Sequence, residues 1–140
     1  MEVEKVVEKD IPSKELLAEI MQNVNFDFDK DIITSESAAV LDTAADVISH
    51  YPNARFLIAG YTDARGTESY NEDLSIRRAK AVYQALLDSG ISENQLEYRG
   101  FGKRNALVPS DASNAERRGD RKVVLEVVTD DLFWNFLKSK

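Results

Sequence analysis

The chain has 140 residues, 43% of them hydrophobic and 31% charged, a mix that suits one folded domain and argues against a mainly disordered segment. Its 18 basic and 25 acidic side chains leave a net charge of −7, a field that repels polyphosphate and argues against nucleic-acid binding. The lack of cysteine excludes a disulfide scaffold, a thiolate metal site, a cysteine nucleophile and a lipid-bearing cysteine within this sequence.

No apolar run approaches the ~18–20 residues that span a bilayer. The charged start, Met1-Glu2-Val3-Glu4-Lys5, lacks the apolar stretch of a secretory signal. A cytosolic protein and an excised mature domain fit these features equally. Residues 1–12 read as a linker ending in Ile11-Pro12, and Ser13 is placed to cap a short helix through Met21. Val24, Phe26 and Phe28 alternate with Asn25, Asp27 and Asp29, the period of a strand with one buried face. A helix is expected over 36–49, capped by Ser35, with Ala39, Val40, Ala44, Val47 and Ile48 as its stripe. A strand over 55–60 follows, then a polar turn over 61–67. A long helix over 69–88 ends at Ser89-Gly90. Strands over 95–101 and 122–128 enclose a loop and a short helix over 112–117, and the tail Leu132-Phe133-Trp134-Asn135-Phe136-Leu137 is expected to pack back on the domain. Alternating strands and helices indicate an α/β sandwich with a partly parallel sheet.

The long helix carries an anomaly. At 100° per residue, Leu74, Ala81, Val82, Ala85 and Leu86 form one apolar arc, and Asn71 and Arg78 fall inside it, whereas Arg77 points away. An unpaired buried charge costs several kcal/mol, so Arg78 needs a partner. Asp63, at the carboxyl end of the second strand, is the nearest plausible carboxylate, and that end of an open α/β sheet is where ligands bind. Two interpretations stand: an internal Asp63–Arg78 salt bridge spaced by Asn71, or a small site for a zwitterion, with its ammonium on Asp63 and its carboxylate forked by Arg78.

Gly60-Tyr61-Thr62-Asp63-Ala64-Arg65-Gly66, with Tyr70-Asn71, Leu74-Ser75 and Arg78-Ala79, resembles the signature of OmpA-like peptidoglycan-binding domains. Phe26-Asp27-Phe28-Asp29-Lys30 is similar to the opening strand of peptidoglycan-associated lipoproteins, and Gly100-Phe101-Gly102 to a glycine-aromatic-glycine turn after the third strand. The resemblance covers about 24–128. It implies a two-layer α/β sandwich in the order βαβαβ(α)β, with a mixed sheet of about four strands and helices on one face. Residues 1–23 would be a linker and short helix, 24–128 the domain, and 129–140 an apolar tail. It also implies non-catalytic binding of the meso-diaminopimelate of the peptidoglycan stem peptide, with Asp63 on its ammonium and Arg78 on its carboxylate. Asp29, Thr62 and Asn71 would line the same pocket and Arg121 would help hold it. No cofactor, nucleic acid or direct membrane contact is implied. The implied setting is the periplasmic side of the outer membrane, as part of a longer anchored barrel protein or lipoprotein. A flagellar-motor stator shares the domain and would need a membrane helix upstream.

Three positions depart from the family pattern: Tyr61 stands for a histidine, Asp120-Arg121-Lys122 for Asn-Arg-Arg, and Pro109 comes late after the turn. The alternative from another class is an envelope protein–protein adaptor in which Asp63 and Arg78 only brace each other. Other constellations are weak. His50 has no cysteine or second histidine for a zinc site. The Asp27, Asp29, Asp31 spacing lacks the glycine and glutamate of a calcium loop, since Ile32 and Ala38 occupy those places. Asp29 and Asp63 as a glycosidase pair would both be held ionised by Arg78. Arg117, Arg118, Arg121 and Lys122 read as a solvated basic patch or one that meets anionic wall polymer.

Overall fold

The structure, a computed structural model, describes residues 11–22 and 24–139. Most of the expected linker, residues 1–10, therefore lies outside the described residues.

Helix α1 (Lys14–Met21) starts as expected at Ser13, whose hydroxyl accepts the Leu16 N–H at 3.0 Å. Leu17 and Met21 turn inward. Val24 and Phe26 are buried in keeping with their alternation, but the expected opening strand shrinks to a single antiparallel bridge between Asn25 and Lys122. A turn cuts it short: the Lys30 N–H bonds the Asp27 carbonyl at 3.1 Å, and Asp29 takes a left-handed φ of 61°. That conformation cannot continue an extended run, and Phe28 is left half exposed.

Helix α2 (Ser35–Ser49) is capped by Thr34 rather than Ser35. Thr34 is the residue with extended backbone, and its hydroxyl accepts the Ser37 N–H at 3.1 Å. The buried stripe is Leu41, Ala44, Ala45 and Ile48, so Ala39 stays exposed. Strand β1 (Phe56–Gly60) is buried throughout. Helix α3 (Glu68–Asp88), capped by Thr67, ends at Ser89 and at Gly90, whose φ is 96°. A 3-10 turn at Glu93–Gln95 leads into β2 (Leu96–Gly100). Helix α4 (Asn114–Arg118) opens on a capping box between Ser113 and Glu116. Strand β3 (Val123–Val127) and helix α5 (Asp131–Ser139) complete the chain.

The sheet has the order β2-β1-β3, with β1 parallel to β2 and antiparallel to β3. Among the described residues it holds three strands where about four were expected, because the segment around Asn25 makes only the one bridge. Phe56 and Ile58 face a core shared with Leu17, Leu41, Ile48, Val82 and Leu86 from α1, α2 and α3. Leu57 points to the other face, where Trp134 and Leu137 of α5 cover it together with Val128. The apolar tail thus packs back, and Arg55 fastens its start through Asp131 at 2.8 Å. Among the described residues no helix is long and apolar enough to cross a membrane.

Two glycines set how closely α3 approaches the sheet. A Cβ on Gly60 would meet the Ser75 carbonyl, and one on Gly100 would meet the Ser75 hydroxyl and the Ile76 N–H. Without those side chains the helix lies directly on β1 and β2, and the Ser75 hydroxyl accepts the Gly102 N–H at 2.9 Å. The turns that leave both strands are tied to one helix.

Candidate functional site

A cleft of about 60 Å³ opens where the polar turn leaves β1 and enters α3. Asp29, Thr62, Asp63, Asn71, Arg78 and Arg121, the six residues singled out in the sequence, all line it. Phe28, Arg65, Gly66, Tyr70 and Leu74 complete the wall.

Arg78 is fully buried, as its place in the apolar arc requires, but it does not pair with Asp63. Its Nε donates to the Lys30 carbonyl at 2.8 Å, Nη1 to the Tyr61 carbonyl at 3.0 Å and Nη2 to the Asp27 carbonyl at 2.9 Å. The turn over 27–30 and the end of β1 aim their carbonyls at the guanidinium, which is how a buried cation is satisfied without an acid. The internal Asp63–Arg78 salt bridge is therefore replaced by backbone acceptors. Burial lowers the Arg78 pKa to about 10, the neighbouring Arg121 charge acts in the same direction, and Asp63 and Asp31 oppose them. Arg77 points outward and is held by Asp31 and Asp73, both at 2.9 Å.

Asp63 has other partners. Its Oδ1 accepts the Arg65 backbone N–H at 3.0 Å and Arg65 Nε at 3.3 Å, while Oδ2 accepts Arg65 Nη2 at 2.9 Å and Arg121 Nη1 at 3.1 Å. Burial pushes the carboxyl pKa up, yet hydrogen bonds from Arg65 and Arg121 outweigh it and hold the group below the usual aspartate range. Arg117 Nε sits 3.9 Å from Oδ2, buried and without a hydrogen bond among the described residues. Arg121, almost wholly buried, also donates to the Phe26 carbonyl at 2.6 Å and to Asn114 Oδ1 at 3.1 Å. The basic cluster is thus not a solvated patch: Arg117 and Arg121 turn inward to Asp63. Arg118 and Lys122 remain peripheral, over Asp27 at 3.7 Å and the Tyr61 ring at 5.6 Å.

The remaining expected residues shape the walls. The Thr62 hydroxyl donates to the Asp63 carbonyl at 3.1 Å, and Asn71 Nδ2 holds the Arg65 carbonyl at 2.6 Å, closing the turn onto α3. Asp29 is exposed at the rim. Tyr61 stacks on Phe101 at 5.6 Å. Asp120 accepts the N–H groups of Leu107 at 2.9 Å and Val108 at 3.2 Å, so its charge clamps the loop that precedes α4 and it does not line the cleft.

Sequence patterning missed Arg65 and Arg117. A signal for Arg65 was present: an aspartate two residues ahead of it in a turn closed by Gly66 is the spacing at which a carboxylate accepts a backbone N–H. Chemically, the cleft presents a desolvated carboxylate and a desolvated guanidinium that do not neutralise each other.

The sequence model of the OmpA family matches residues 25–120. Outer membrane porin F of Pseudomonas fluorescens is 34% identical over 105 residues, covering 75% of this chain and 32% of that protein. Outer membrane protein A of Bordetella avium is 35% identical over 103 residues, covering 74% of this chain and 53% of the relative. The chain therefore spans about a third to a half of the length of these relatives. Among solved structures, the peptidoglycan-associated lipoprotein from Burkholderia pseudomallei superposes with a TM-score of 0.70 at 32% identity, covering 75% of this chain and 88% of that one. The C-terminal domain of Helicobacter pylori MotB superposes with a TM-score of 0.67 at 24% identity, covering 82% and 92%, and shares the fold.

Proposed function

Because this chain belongs to the OmpA family, we propose that it binds peptidoglycan without cutting it, through the diaminopimelate of the stem peptide. In this role it ties an envelope protein to the cell wall from the periplasmic side of the outer membrane. Asp63 receives the side-chain ammonium and Arg78 the side-chain carboxylate, while Asp29, Thr62, Asn71 and Arg121 shape the seat between them. The observation that carries the proposal is the cleft itself, where a buried acid and a buried arginine share one opening yet make no bond to each other. The adaptor alternative has those two groups brace each other, whereas Arg78 gives three of its five N–H groups to carbonyls and keeps two for a ligand.

Charge-assisted hydrogen bonds contribute about 1.5–3 kcal/mol each. A cleft this small therefore holds one side chain weakly, and retention comes from many copies on one sacculus.

The test is made from the ligand side as well as the protein side, because removing Arg78 would orphan three carbonyls and unfold the walls. Asp63→Asn is expected to abolish co-sedimentation with purified sacculi. By calorimetry, stem peptides with lysine in place of diaminopimelate, which lack the side-chain carboxylate, are expected to bind at least about tenfold more weakly. Equal affinity for the two peptides, with Asp63→Asn pelleting like the wild type, would overturn the assignment.

A further inference from the structure

Asp63 is closed off on two sides by arginines that differ in their freedom to move. On the inner side, the Arg121 side chain is 1% exposed and tied to Phe26 and Asn114 as well as to the carboxylate, so it has no room to leave. On the solvent side lies Arg65, whose side chain is 25% exposed and which forks both carboxylate oxygens through Nε and Nη2. The Arg65 guanidinium lies 3.4 Å over the centre of the Phe28 ring, itself half exposed at the rim. Its backbone is pinned independently of its side chain, since its N–H bonds Asp63 and its carbonyl accepts from Asn71. The side chain can therefore pivot outward while the turn keeps its shape.

Resting on the diaminopimelate assignment above, we propose that Arg65 is a built-in competitor of the ligand and the residue that sets its charge selectivity. Its guanidinium occupies the seat of the incoming ammonium, and binding is an exchange of one cation for another on Asp63. Three consequences follow. Only a charged amine can complete the exchange, since a neutral amide cannot replace an ion pair with the acid. During the exchange Asp63 keeps its inner pair with Arg121, so the buried carboxylate is never left uncompensated. Intrinsic affinity is lowered by the work of lifting Arg65 off Asp63 and Phe28.

The experiment is calorimetry of wild type, Arg65→Gln and Arg65→Lys with a stem tripeptide ending in meso-diaminopimelate and with the same peptide acetylated on its side-chain amine. Arg65→Gln is expected to bind the free-amine tripeptide roughly three- to tenfold more tightly than wild type. Arg65→Lys, which keeps a charge but loses the planar fork, is expected to lie between them. The Arg65 Nε–H resonance is expected to be protected from solvent in the free wild-type protein and to lose that protection in the complex. Equal or weaker binding by Arg65→Gln, or an Nε–H that stays protected in the complex, overturns the exchange while leaving the diaminopimelate assignment standing. Failure of all three proteins to bind either the tripeptide or sacculi overturns the assignment and the exchange with it.

Discussion

Asp63 accepts from two arginines, with a third within 3.9 Å, in a chain whose net charge is −7. The acidity of the whole molecule is inverted locally, and the carboxyl is held below its ordinary pKa by those donors despite its burial. A group depressed in the folded state binds its proton more readily when unfolded, so its stabilisation is complete above the unfolded value of about 4. It is lost as the pH falls further, through the folded value. Urea midpoints measured from pH 7 down to pH 2 are expected to drop more steeply below about pH 4 in the wild type than in Asp63→Asn. Helical periodicity alone was enough to turn Arg78 inward, because a 100° step is insensitive to what lies across from it. Its acceptors were not legible: they are backbone carbonyls from residues 27, 30 and 61, which carry no residue type to read. Arg65 and Arg117 escaped notice for a related reason, since the direction of a long side chain on a turn or a short helix has no period.

Helix α3 is the element on which the cleft depends, and its closeness to the sheet rests on two missing side chains. Gly100→Ala would drive a methyl group into the Ser75 hydroxyl and the Ile76 backbone. It is expected to cost about 1–3 kcal/mol in chemical denaturation, and to loosen the Ser75–Gly102 hydrogen bond. Most element boundaries were readable from caps and breakers, as Ser13 and Gly90 illustrate. The exceptions have local causes. Thr34 and Ser35 are both competent caps, and backbone conformation, not composition, chose the first. The Val24–Phe28 alternation correctly buried Val24 and Phe26. It did not anticipate the turn at Asp29 that stops the strand after one bridge, because an aspartate at positive φ leaves no mark in an apolar pattern.

At the scale of the molecule, the sheet is covered on both faces, and the smaller cover is the helix α5. Trp134, the chain's single tryptophan, is 6% exposed and packs with Leu137 on Leu57 and Val128. Trp134→Ala is expected to destabilise the fold by about 3–5 kcal/mol, measured by urea titration with circular dichroism as the signal. Because α5 contributes nothing to the cleft wall, sacculus binding by the folded fraction is expected to be unchanged. The route of the chain into the domain has a mechanical side. After α1 it passes through Asn25 and Phe26, whose carbonyl is gripped by Arg121, and then the turn over 27–30, whose end carbonyls are gripped by Arg78. Tension arriving from the amino-terminal side, once it has drawn α1 away, falls on the Val24–Val123 hydrogen bond and the Asn25–Lys122 bridge at the start of β3, and then on those two arginine rivets. Two of the arginines that line the cleft are thus also the fastening that holds this entering segment to the domain.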